Sequence, residues 1–161
     1  MRSVLATFAY GDYQRIGEIT FPQMRRYVSN FGLVFHHIDW IEPGRMPSWF
    51  WMEQIHGLLS DYDRVFFVSV DCIIRPDAIN VLELPTGVFY GFDELPFDDA
   101  PLNEGIGLKI WEHAMADWPD EFAENTDYPK HLYNTGVMLV DKSHQKLFAP
   151  VSNETRQGLQ D

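Results

Sequence analysis

One stretch limits what this chain can fold into more than any other. Val65-Phe66-Phe67-Val68 is an unbroken apolar run that ends in Ser69-Val70-Asp71. Consecutive β-branched and aromatic residues without a turn former suit a strand buried on both faces, the kind found in parallel sheets covered by helices. A carboxylate at the end of such a strand is costly unless a metal, a partner or the sheet edge satisfies it. Ligands of open α/β sheets sit at the carboxyl ends of the strands. Asp71 is therefore the first candidate for chemistry, and Cys72, in the apolar continuation, reads as a small buried hydrophobe.

The rest of the chain supports an α/β alternation. Ser3 to Ala9 is β-rich and closes on the turn signal Tyr10-Gly11-Asp12. Ile16, Ile19, Met24, Tyr27 and Val28 then follow at helical spacing, with Pro22 marking a break or a first turn near Phe21 and Gly32 a stop. Leu33 to Trp40 is a second strand; its adjacent His36 and His37 point to opposite faces and cannot share a metal. Ser48 is placed to cap a helix from Trp49 to about Asp61, whose apolar positions include Trp51, Ile55, Leu58 and Leu59. A short helix after Arg75-Pro76-Asp77 and a fourth strand, Val88 to Phe92, come next. The acidic stretch from Asp93 to Glu104 reads as a solvated loop, with a flap or extra metal ligands as the alternative. A helix from Leu108 to Trp118, a strand from Tyr133 to Val140, a helical piece after Ser143-His144 and a polar tail complete the order. Strand, helix, strand, helix, strand implies a mostly parallel central sheet with helices on it, in a single domain spanning 1–161.

Charge and composition narrow the function. The chain of 161 residues carries 24 acidic and 12 basic side chains, a net charge of −12. Such a surface repels nucleic acid and anionic membrane, yet a divalent cation can bridge carboxylates to the phosphates of a nucleotide. Aromatic residues make up 15% of the chain, more than a core requires, so some are expected at a binding surface. A single cysteine rules out an internal disulfide framework, and no leader sequence or membrane-length apolar run is visible, which makes the cytoplasm the expected setting. Gly105-Ile106-Gly107 does not make a phosphate loop, and neither a zinc-spaced Cys/His cluster nor a hydrolase nucleophile elbow is present. What remains is a set of strand ends. A parallel sheet gathers Thr7, Tyr10, Tyr13, Ser69, Asp71 and Asp93 at one edge, and Asn134 joins them only if its strand runs antiparallel.

Three of these stretches resemble the GT-A fold glycosyltransferases, especially glycogenin-like and related sugar-nucleotide transferases. YDRVFFVSVDCII is similar to the family's donor-binding strand with its Asp-x-Asp motif, TFAYGDY to its first strand and loop, and YNTGVMLVDKS to its Asn-bearing strand. They occur in the family's order and cover most of the chain from Val4 to Phe148. The resemblance implies a Rossmann-like GT-A domain that moves a hexosyl group from a UDP- or GDP-linked sugar to a carbohydrate, lipid or protein acceptor. It implies nucleoside contacts at Thr7, Tyr10 and Tyr13, and Mn²⁺ or Mg²⁺ at Asp71 with Ser69 beside it. Asn134 and Gly136 would lie near the transferred sugar, Asp93 matches more loosely, and Asn134 and Asp161 are the candidates for a catalytic role.

The departures leave alternatives open. Ser69 stands where the family has its first Asp, so the motif reads Ser-Val-Asp. The helix before the donor strand carries Glu53 and no Lys around Trp51 to Gln54, and the family's C-terminal segment with its metal-binding His is not seen before Asp161. A catalytically inactive protein that binds a nucleotide-sugar or glycan on the same scaffold is one alternative. A small interaction domain, whose sheet edge could pair in a homodimer, is another.

Overall fold

The structure, a computed structural model, describes residues 1–45, 47–93 and 133–150, with the side chains at 48, 49, 92, 93, 133 and 134 excepted. The chain divides into two compact units, Met1–Gly91 with Thr135–Pro150 and Phe92–Asn134 with Val151–Asp161; the described residues fall almost wholly in the first. The expected acidic loop after Asp93, the helix from Leu108 to Trp118 and Asp161 lie outside them.

Five strands, β1 (Ser3–Phe8), β2 (Val34–Ile38), β3 (Arg64–Val68), β4 (Tyr90–Asp93) and β5 (Tyr133–Asp141), make one sheet in the order β2-β1-β3-β5-β4. β1 pairs in parallel with β2 and β3, through Val4 against Val34 and against Val65. β5 runs antiparallel to β3, with Val68 opposite Val137 and Arg64 opposite Asp141. The sheet is thus parallel across β2-β1-β3 and mixed overall. β5 thus has the antiparallel direction on which the reading of Asn134 depends.

Alternation along the strands sorts the core onto two faces. Val4, Ala6, Val65 and Phe67 meet Ile55, Leu58 and Leu59 of α2 (Pro47–Asp61). Leu5, Phe66 and Val68 meet Met24, Tyr27 and Val28 of α1 (Tyr13–Phe31). All five residues of β3 are buried, as the unbroken apolar run requires. Burying each Val or Phe there contributes about 1.5–3 kcal/mol.

Two helices differ from expectation at their starts. α1 begins at Tyr13 and runs through Pro22 without a break. A proline inside a helix removes one hydrogen bond and costs about 3 kcal/mol, which packing of an amphipathic face can offset. Here Gly17, Thr20, Met24, Tyr27 and Val28 are all buried on one side. The helix ends where Gly32 takes φ 74°, a left-handed cap whose N–H bonds the Val28 carbonyl at 2.8 Å. α2 begins at Pro47, ahead of the expected Ser48 cap. Proline suits a first helical position because its missing N–H would have no partner there.

The short helix expected after Asp77 is a single 3-10 turn, Val81–Glu83, capped by Asn80. It is held from below by two buried groups. Tyr27 donates its hydroxyl to the Ile79 carbonyl at 2.8 Å and accepts the Val81 N–H at 3.0 Å, and burial pushes its pKa up against the opposing effect of that N–H. Arg64, 1% exposed, donates to the carbonyls of Leu82, Leu84 and Pro85 at 3.4, 3.0 and 3.3 Å. After β5 a second 3-10 segment, Lys142–Phe148, opens with a capping box between Asp141 and His144.

Candidate functional site

The chain leaves β1 toward β2 on one side of the sheet, while the strands that follow β3 lie on the other. Strand order therefore reverses between β1 and β3, and such a switch point opens a crevice outside the carboxyl ends. A pocket of about 270 Å³ lies there, lined by Phe8, Tyr10 and Tyr13 after β1, Pro47 and Trp51 of α2, and Ser69, Val70 and Asp71 after β3.

Each wall has a local cause. Gly11, at φ 60°, supplies the positive backbone angle that turns the chain from β1 into α1. The Tyr10 carbonyl then accepts the Tyr13 N–H at 3.3 Å, so both tyrosines sit on one tight turn. They are 46% and 61% exposed, unusual for rings of that size beside a pocket. Trp51 is half-buried and lies flat on Phe67, centroids 4.2 Å apart and planes 10° from parallel.

β3 ends at Val68, and Ser69 to Cys72 form a turn rather than more strand, with the Cys72 N–H on the Ser69 carbonyl at 3.0 Å. Two further bonds fix that turn. The Ser69 N–H donates to the Gly136 carbonyl of β5 at 2.6 Å, and the Thr20 hydroxyl of α1 donates to the Val70 carbonyl at 2.8 Å. Val70 is buried beneath, which leaves Asp71 pointing outward and exposed. The carboxylate is thus in water at the sheet edge, the last of the three ways in which its burial cost could be avoided. Cys72 is half-buried and outside the strand. Burial raises its thiol pKa, as do the charge of Asp71 and the 3.9 Å contact with it.

The structure brings Tyr10, Tyr13, Ser69 and Asp71 to one pocket. Thr7 is fully buried and is not among the lining residues; its hydroxyl has no partner among the described residues. Gly136 meets Ser69 through the backbone, and Asn134 lies two positions upstream of it on β5, its side chain outside the described residues. Asp93 ends β4, again with its side chain outside them. Glu53, on the helix before β3, forms an ion pair with Arg45. Phe8, Pro47 and Trp51 were not singled out as site residues from the sequence. The signal was available in Phe8 at the end of a strand and in a tryptophan in the first turns of the helix leading to β3.

Among the described residues no three His, Cys, Asp or Glu side chains gather as a metal site. No helix among them is long and apolar enough to cross a membrane.

No family model matches the chain, and no curated protein matches it. Among solved structures, it is similar to a glycosyltransferase involved in the glycosylation of the major capsid of PBCV-1, with a TM-score of 0.56 and 12% sequence identity. The match covers 92% of this chain and 63% of that one. The fold is therefore glycosyltransferase-like.

Proposed function

We propose that this chain binds a nucleotide-sugar at the carboxyl edge of β1 and β3 and transfers the sugar to an acceptor, with Mn²⁺ or Mg²⁺ at Asp71. The observation that carries the reading is the coincidence of an aromatic-walled pocket and an exposed carboxylate at the switch point of a glycosyltransferase-like sheet. Aromatic walls suit a nucleobase, which stacks well whatever its identity. The oxygens of Asp71 and Ser69 are of the kind hard divalent ions take, and such ions keep positions for water and phosphate. A set of one carboxylate and one hydroxyl fits an ion that arrives with its diphosphate. Once bound, the ion would neutralise charge on the leaving diphosphate.

The chain's own residues hold and orient. Tyr10 and Tyr13 cover the nucleoside, the turn pinned by Thr20 and Gly136 fixes Asp71, and Asn134 on β5 orients the sugar. Binding of UDP-, GDP- and ADP-sugars to wild type and Asp71→Ala, with and without Mn²⁺, tests this. Metal-dependent binding that the variant loses is the expected result. Failure of the wild type to bind any of them overturns it.

One observation favours a second reading, a protein that binds the donor without transferring its sugar. Asp71 has a hydroxyl, Ser69, where a second carboxylate would strengthen a cation site. Sugar release to water or to any acceptor, followed by chromatography of the nucleotide product, separates the two.

A further inference from the structure

We infer that Trp51 is a base-stacking residue of this pocket, forming with Tyr13 the two aromatic walls between which a nucleobase lies. The inference rests on the reading above and adds a recognition residue to it. Three observations on separate elements support it. Trp51 spends one face on Phe67, 4.2 Å away and nearly parallel, and lines the pocket with what remains of the ring. That stack is anchored deep in the core, since Phe67 is 3% exposed and the same helix buries Ile55 and Leu59 completely. The indole is therefore set in place before any ligand arrives, so little side-chain freedom is lost on binding.

The second observation is on another element that lines the same pocket. Tyr13 is 61% exposed at the first turn of α1, so a large aromatic ring that lines the pocket is also open to water. The third concerns the residue that would otherwise take the base. Thr7 is at 0% exposure and is not among the lining residues, so the contact passes to the rings that are. A flat heteroaromatic ring satisfies both walls at once. A bare phosphate would gain nothing from either, and a ribose, with no π-face to stack, less than a base.

The test measures binding by calorimetry to wild type, Trp51→Leu, Trp51→Phe and Tyr13→Ala, with Mn²⁺ present. The probes are UDP, GDP, the corresponding nucleosides, and ribose 5-phosphate as a ligand with no base. For whichever nucleoside diphosphate the wild type binds, Trp51→Leu should weaken affinity roughly tenfold or more, the scale of losing one base–aromatic stack. Trp51→Phe should keep most of it, Tyr13→Ala should weaken it as well, and the free nucleoside should show the same ratios. Ribose 5-phosphate should be indifferent to position 51. Should Trp51→Leu fail to fold by circular dichroism, tryptophan emission gives the same answer: the wild type is quenched by the nucleoside and Trp51→Phe is not. Equal affinity of wild type and Trp51→Leu for the nucleoside overturns the inference, as does an equal loss with ribose 5-phosphate, or quenching that survives Trp51→Phe. Those outcomes leave donor binding itself intact, whereas a wild type that binds neither diphosphate removes the underlying reading.

Discussion

The two ends of β3 are built on opposite principles. At its amino end the guanidinium of Arg64 is buried and directed at a row of carbonyls from Val81 to Pro85. Directly across from it on β5, Asp141 accepts from the Ser143 hydroxyl and N–H and from the Gly87 N–H. Burial would raise the Asp141 pKa, but those bonds and the neighbouring His144 outweigh it and hold the carboxyl below its ordinary value. At the carboxyl end, only seven residues from Arg64, Asp71 stands exposed beside two exposed tyrosines. At the first end the Arg64 Nη groups and the Asp141 carboxylate find their partners within the chain. At the second, Asp71 and the two tyrosines face water, the contrast expected between a structural end and a candidate site.

The contrast can be broken at the amino end first. Arg64→Leu should destabilise the fold by about 3 kcal/mol, because several carbonyls lose a charged donor at once. Urea unfolding measures this, and a loss under about 1 kcal/mol would show that those carbonyls reach water. Asp141→Ala should cost about 2 kcal/mol through the lost cap and the stranded Gly87 N–H. The sign with pH follows from the depressed carboxyl. Asp141 stabilises fully above the ordinary aspartate range, and its contribution is lost as pH falls through the lower folded value. The unfolding midpoint of wild type should therefore drop in acid more steeply than that of Asp141→Ala.

The carboxyl end should answer in binding rather than in stability. Ser69→Asp, which adds a second carboxylate beside Asp71, should tighten Mn²⁺ binding roughly tenfold, or about 1.4 kcal/mol, as read by titration calorimetry. Asp71→Ala should move the unfolding free energy by less than about 0.5 kcal/mol, as for other exposed side chains. An Asp71→Ala variant as unstable as Arg64→Leu would erase the distinction between the ends.

Much of this frame was legible because strong local signals agreed. The apolar run at Val65 to Val68 and the Gly32 stop each had one structural outcome. The gathering of Tyr10, Tyr13, Ser69 and Asp71 followed from alternation alone, since strand ends in a parallel sheet share an edge. Pro22 misled because its local cost is real, whereas the burial of five α1 residues that offsets it is a tertiary fact. For Asp71 the sequence left a metal, a partner or the sheet edge as ways to satisfy the carboxylate, and the turn beyond Val68 that lifts it into water could not be read from an apolar run. Trp51 was read only as a core position, because helical spacing cannot tell a ring that fills a core from one that also faces a cavity.

The reversal of β5 has a consequence for how the chain is made. β1, α1, β2, α2 and β3 are contiguous and emerge from synthesis first, but β3 obtains its second neighbour only when Val137 to Asp141 arrive. Until then the edge formed by Val65, Phe66, Phe67 and Val68 has open backbone groups on one side, the arrangement that invites pairing with another chain. Pairing across so long a separation is also slow. Nascent chains halted before Tyr133 should therefore bind chaperones and aggregate, and release of the strand that completes β3 should mark the point in synthesis at which the protein becomes safe to leave alone.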